Sequence, residues 1–114
     1  MSTYGPINGI WTAGSYDLLT TILRKDWGYQ GMVMTDWWAK MNEEGEEGSQ
    51  SNTIPMVRAQ NDVYMVVSDS ASNSANDNTM EGLADGRLTR GQLVRNAKNI
   101  CHFSDAFSGD EPFL

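Results

Sequence analysis

The sequence predicts an α/β fold of parallel βα units, about three strands with flanking helices, and three observations lead there. Short apolar, partly β-branched runs alternate with amphipathic helical patterns, the runs are too short to be helices, and their spacing suits right-handed crossovers. With 114 residues and 39% hydrophobic content, the chain suffices for one compact domain spanning 1–114. Parallel strands need cover on both faces, and the helices predicted here are too few to cover the sheet and shield its edges. The sequence therefore reads as part of a larger structure.

Taken in order, "MSTYGPINGI" begins strand-like and breaks at Gly5-Pro6 and Asn8-Gly9, both turn signals. From Ser15, "SYDLLTTILRKDWG" sets Leu18, Leu19, Ile22 and Leu23 at helical spacing, with Ser15 as N-cap and Gly28 as the stop. Trp27 at its end reads as a packing residue. "YQGMVMTDW" then suits a buried strand over 31–35, with Asp36 at its C-terminal end. Residues 39–52, rich in Glu, Gly, Ser and Asn, read as an exposed acidic loop. "TIPMVRAQ" predicts a short helix capped by Thr53 and started near Pro55, and "NDVYMVVS" a second apolar strand. After the polar "DSASNSANDN" come two helical patterns, "TMEGLADG" and "TRGQLVRNAKNICHFSDAF". In the second, Thr89 is a natural cap, Leu93, Ala97, Ile100 and Cys101 share a predicted face, and 106–114 reads as a flexible tail.

Eight Lys and Arg against fifteen Asp and Glu give a formal charge of −7, which disfavours nucleic acid and anionic membranes as partners. No run of about 18 apolar residues suggests a membrane span. No basic region followed by an apolar core opens the sequence, so the expectation is a cytoplasmic chain without a secretory signal. A single cysteine, Cys101, excludes an intramolecular disulfide and a cysteine-rich zinc site, and reads as a reduced core thiol. His102 has no partner at ligand or catalytic spacing and reads as a surface histidine. The glutamates 43, 44, 46 and 47 lack an EF-hand pattern, and no nucleotide-binding fingerprint is present, so neither a metal nor a cofactor is expected.

The segments "YGPINGI" and "LLTTILRKDWGYQGMVMTDWWA" resemble glycoside hydrolase family 3, in which a strand-borne Asn-Gly pattern precedes "L…LR…WG(F/Y)xGxVxSDW". The later "MEGLADGRLTRGQLVRNAKNI" is similar to the helical close of the same barrel domain. The resemblance covers residues 1 to 105 and implies a partial TIM-type (β/α)8 barrel, matching about its last three strands. It implies a β-glucosidase-like, exo-acting hydrolase of O-glycosyl bonds, with a β-glucoside-like carbohydrate as substrate.

In that family the Asp of the Ser-Asp-Trp motif is the nucleophile. The motif falls on Asp36, with Thr35 in place of the commoner Ser. The position suits the role, since active sites of such barrels lie at the C-terminal ends of the strands. Tyr4, Trp37 and Trp38 are the implied substrate contacts, the tryptophans as flat faces for a sugar ring, although Trp38 departs from the small residue usual there. A retaining glycosidase also needs a second carboxyl group about 5 Å from the first, and no glutamate here is assigned to it. The isolated chain is expected to be close to inactive, and to self-associate or require the missing barrel portion.

Other readings stand beside these. An Asp between strand and helix is commonly a cap or turn residue, and Tyr4 and the tryptophans could be packing residues. The rival function is a non-catalytic carbohydrate-binding or interaction module derived from the barrel, with Trp37 and Trp38 as its platform. A purely structural α/β fragment is the third.

Overall fold

The computed structural model describes residues 1–107. It is a mixed α/β arrangement with few strands and several helices, as expected in class, but only two strands are parallel. β1 (Pro6–Ile7) and β2 (Ile10–Trp11) form an antiparallel hairpin. Its turn residues Asn8 and Gly9 both have positive φ, 51° and 79°, the conformation that favours Asn-Gly in a two-residue hairpin turn. β3 (Met34–Trp37) and β4 (Val63–Met65) form the parallel pair. The expected first strand is not one: the N-terminal segment touches β3 through the Ser2 N–H, which donates to the Met34 carbonyl at 2.8 Å, but forms no ladder. The Gly5 and Asn8-Gly9 turns fold the following residues onto each other instead.

A short 3-10 turn (Thr12–Gly14) leads into the predicted helix, which is wound as a π-helix over Asp17–Asp26. Ser15 caps it, its carbonyl and hydroxyl accepting the N–H groups of Leu19 and Leu18 at 3.0 and 3.3 Å. Gly28, in the left-handed region at φ 71°, follows its end. Trp27 is 75% exposed rather than packed, because it lies past the stripe of Leu19, Thr20 and Leu23 that meets the core.

Helix α1 (Ile54–Arg58) joins β3 to β4, begins one residue before Pro55, and buries four of its five residues. The Thr53 hydroxyl gives α1 no cap and pairs with that of Thr79 at 2.6 Å. Gly14 is where the 3-10 turn meets α1: a Cβ there would stand 2.8 Å from Pro55 Cβ. α2 (Thr79–Asp85) ends at Gly86, whose φ of 87° suits a glycine. α3 (Arg90–Phe107) starts with a reciprocal capping box, Thr89 Oγ1 accepting from the Gln92 N–H at 3.2 Å and Gln92 Oε1 from the Thr89 N–H at 2.9 Å.

The predicted apolar face of α3 is corrected. Leu93 is partly buried, but Ala97, Ile100 and Cys101 are exposed, and Cys101 is a surface thiol rather than a core one. The face turned inward is polar. Arg95 donates to the Val57 and Arg58 carbonyls at 3.3 and 2.8 Å, satisfying the end of α1. Asn99 donates to Gln60 and Asp62 at 3.2 and 3.0 Å.

Residues 39–52 are also corrected. Ala39, Met41 and Asn42 are buried and Met41 bridges Ser49, so exposure is confined to the stretch 44–47 and to Gln50. Asn42 anchors the loop, donating to the Gly9 and Glu46 carbonyls at 2.8 and 3.0 Å and accepting from the Trp11 N–H at 2.9 Å. Of the expected tail, residues 106 and 107 are helical and 108–114 lie outside the described residues. Among the described residues, no helix is long and apolar enough to cross a membrane.

Among the described residues, apolar packing divides into three small clusters: Ala13, Ala39, Met41 and Met56; Leu19, Val33 and Ala59; Ile54, Val57 and Leu88. Between them lies an ion pair. Asp62 Oδ2 accepts from Arg24 Nη2 at 2.8 Å and from the Val33 N–H at 2.9 Å, with both side chains almost wholly buried.

Removing one member of a buried pair leaves the other charge uncompensated, so Asp62→Ala is expected to cost about 3–5 kcal/mol in urea unfolding. Burial raises the Asp62 carboxyl above its ordinary 3.8, against the pull of Asn99, the Val33 N–H and Arg24. The folded chain therefore takes up this proton before the unfolded chain as pH falls. Stability of wild type relative to Asp62→Asn is expected to rise from the raised folded value down to 3.8 and to stay flat below it, as read by unfolding at a series of pH values. Gly14→Ala is expected to cost about 1–3 kcal/mol, because the crowded atom opposite belongs to a proline ring.

Candidate active site

β3 ends in "MTDW", and its side chains alternate between the two faces. Thr35 points inward and is fully buried, while Asp36 is half-buried and Trp37 exposed. Asp36 is the penultimate residue of the strand, rather than the first beyond it as predicted. Its Oδ1 accepts from the Trp37 N–H at 2.7 Å.

β3 does not run in simple register with β4. Met34 is opposite Val63 and Trp37 opposite Met65, so β3 holds one extra residue between the pairings, a β-bulge at Thr35-Asp36. Trp38 follows with φ 48°, a left-handed conformation unusual for a bulky residue, and its N–H donates to the Met65 carbonyl at 2.7 Å. Strain of this kind gathers at functional sites.

The two adjacent tryptophans differ in surroundings. Trp38 lines an open hollow of about 220 Å³ at the C-terminal ends of the parallel strands, together with Gln50, Tyr64, Val66, Ser68 and Ser74. Trp37 is as exposed as Trp38 but does not line this hollow. Two larger hollows, of about 360 and 540 Å³, involve neither tryptophan nor Asp36.

Tyr4 is exposed and packs edge-on against Trp11, with ring centroids 5.3 Å apart. The Tyr64 phenol is raised by burial and by Tyr4, and donates to the Ala39 carbonyl at 3.1 Å. Tyr64, Gln50 and the serines at 68 and 74 escaped the sequence reading. For Tyr64 the available signal was its place in the middle of the second strand. For the others there was none, because they arrive from loops.

The chemistry available is that of a carboxylate held by a main-chain N–H at a strand end, two residues before Trp38, which lines a hollow with aromatic walls and hydroxyl groups. The profile described as "Glycosyl hydrolase family 3 N terminal domain" matches residues 1–102. A β-glucosidase of Ruminococcus albus is 58% identical over 103 residues, 90% of this chain and 11% of the relative. An exo-α-(1→6)-L-arabinopyranosidase of Bifidobacterium breve is 31% identical over 100 residues, again 11% of the relative's length. The crystal structure of a β-glucosidase from Paenibacillus barengoltzii superimposes with a TM-score of 0.83 at 60% identity, covering 86% of this chain and 11% of that one. The chain thus spans about a tenth of these relatives, and over nearly all of its own length it belongs to glycosyl hydrolase family 3.

Proposed function

We propose that this chain is part of a retaining, exo-acting glycoside hydrolase of β-glucosidase type, with Asp36 as the nucleophile. In this reading it is the C-terminal portion of a (β/α)8 barrel. The observation that carries the proposal is the setting of Asp36: a half-buried carboxylate near the C-terminal end of a parallel strand, bonded to the Trp37 N–H and two residues before Trp38, which lines the hollow. Similarity to β-glucosidases of Ruminococcus albus and Paenibacillus barengoltzii supports the substrate class.

Asp36 would attack the anomeric carbon as the glycosidic bond breaks, and water would later hydrolyse the glycosyl ester. Trp37 and Trp38 offer exposed flat faces for sugar rings, and Tyr4 an exposed phenol. No carboxyl group in the chain is assigned to protonate the leaving oxygen, so a natural glucoside is expected to turn over hardly at all.

A leaving group that needs no protonation bypasses that deficiency. Incubated with 2,4-dinitrophenyl 2-deoxy-2-fluoro-β-glucoside, the chain is expected to gain one sugar slowly, on the peptide holding Asp36, with none gained by Asp36→Asn. A folded chain that takes no label, or takes it elsewhere, removes Asp36 from the role.

The exposed Val94, Ile100 and Phe103 along α3 favour self-association or docking against the rest of a barrel. Sedimentation is expected to give more than the monomer mass, and a strictly monomeric chain would count against that. The exposure of both tryptophans also favours a second reading, a non-catalytic carbohydrate-binding module. Sugar binding lost in Trp37→Ala, kept in Asp36→Asn and never accompanied by labelling would select it.

A further inference from the structure

The bulge in β3 changes which groups hold Asp36. Counting on from Met34 opposite Val63, a regular ladder would place Asp36 opposite Met65. The slanted parallel pattern would then give the Met65 N–H to the Thr35 carbonyl and the Trp37 N–H to the Met65 carbonyl. Neither bond forms. The Met65 N–H donates to the Thr35 side chain, Oγ1, at 2.8 Å, and the Met65 carbonyl takes the N–H of Trp38 at 2.7 Å. Trp37 is thereby released from the ladder, and its N–H donates to Asp36 Oδ1 at 2.7 Å. The Asp36 carbonyl has turned to the Ala39 N–H at 3.3 Å.

The Thr35 hydroxyl gives the Met65 N–H a side-chain acceptor at the bulge, where the ladder is locally disrupted. Its residue has no solvent exposure, and a hydroxyl oxygen can accept where a β-branched hydrocarbon of the same shape cannot.

We propose that Thr35 is a positioning residue for Asp36: its hydroxyl accepts the Met65 N–H across the sheet, holds the bulge open, and so frees the Trp37 N–H to fix the carboxylate. The inference deepens the assignment of Asp36 as nucleophile and rests on it for its catalytic meaning, although the hydrogen-bond exchange stands by itself. It also accounts for the residue types possible at position 35. Serine and threonine carry the required oxygen, and valine has the shape of threonine without it.

The test is amide NMR on the whole chain, comparing wild type with Thr35→Ser and Thr35→Val. In wild type and Thr35→Ser, the Met65 N–H is expected to be protected from exchange, and the Trp37 amide shift to follow the Asp36 carboxyl through its titration. In Thr35→Val, the ladder is expected to close, with the Trp37 amide moving to the Met65 carbonyl and losing that coupling. Labelling of Asp36 by the fluoroglucoside should then slow by roughly 10- to 100-fold, the scale of a misplaced reacting group, with Thr35→Ser close to wild type. A general loss of packing would not uncouple the Trp37 amide selectively.

A Met65 amide that exchanges freely in the wild type overturns the proposal without any variant, which covers the case of a valine variant that does not fold. So does a folded Thr35→Val chain whose Trp37 amide still follows Asp36. If Asp36 takes no label even in the wild type, the nucleophile assignment fails, and the amide measurements still decide whether Thr35 holds the bulge.

Discussion

The buried pair of Arg24 and Asp62 is the constraint from which the arrangement follows. Arg24 donates to the Gly31 and Gln60 carbonyls at 2.9 and 3.1 Å as well as to Asp62. Asp62 also accepts from the Val33 N–H and from Asn99. One pair of side chains thus joins the π-helix, the entry to β3, the entry to β4 and α3. With apolar packing divided into three small clusters, no single hydrophobic core can set how these elements sit. Directional bonds to a buried charge can, since each has one geometry and its loss leaves a charge in a poor medium.

The same preference for polar joints recurs nearby. Asn61 has no solvent exposure and donates to Ser2 Oγ and the Ala13 carbonyl at 3.0 and 3.1 Å, tying the N-terminal segment and the 3-10 turn to the entry of β4. Arg95 closes the end of α1, and Asn42 fastens the acidic loop to the hairpin. Apolar side chains that a closed domain would bury lie instead on the outside of α3. Polar groups thus specify the inner joints, while apolar side chains stand on the surface of α3.

Local geometry at the end of β3 follows from this frame. Asp62 receives the Val33 N–H and so aligns the start of β3 with the start of β4. From that fixed start the strands run parallel for one pairing before the extra residue is taken up. The bulge therefore falls at Thr35 and Asp36, where the change of side-chain direction and the released amide both act on the carboxylate. Trp38, held left-handed immediately afterwards, turns its ring into the neighbouring hollow.

The sequence by itself determined what depends on local pattern: the class, most of the helices with the Ser15 and Thr89 caps, the existence though not the bounds of the strand near Asp36, the strand at Val63–Met65, and the family through "LRKDWGYQGMVMTDW". It marked Asp36, Trp37, Trp38 and Tyr4 as candidates through that motif. The tertiary structure decided what depends on residues distant in the chain. Helical spacing cannot show that α3 turns asparagines and an arginine inward, because their partners lie more than thirty residues away. An apolar run cannot disclose a bulge, since the extra residue exists only relative to the partner strand. Hydropathy placed Cys101 and Trp27 inside, yet nothing in the described chain packs over them to bury them. Thr35 looked like a mere replacement for serine until the Met65 N–H was found on its hydroxyl, because only pairing across the sheet gives that oxygen a role.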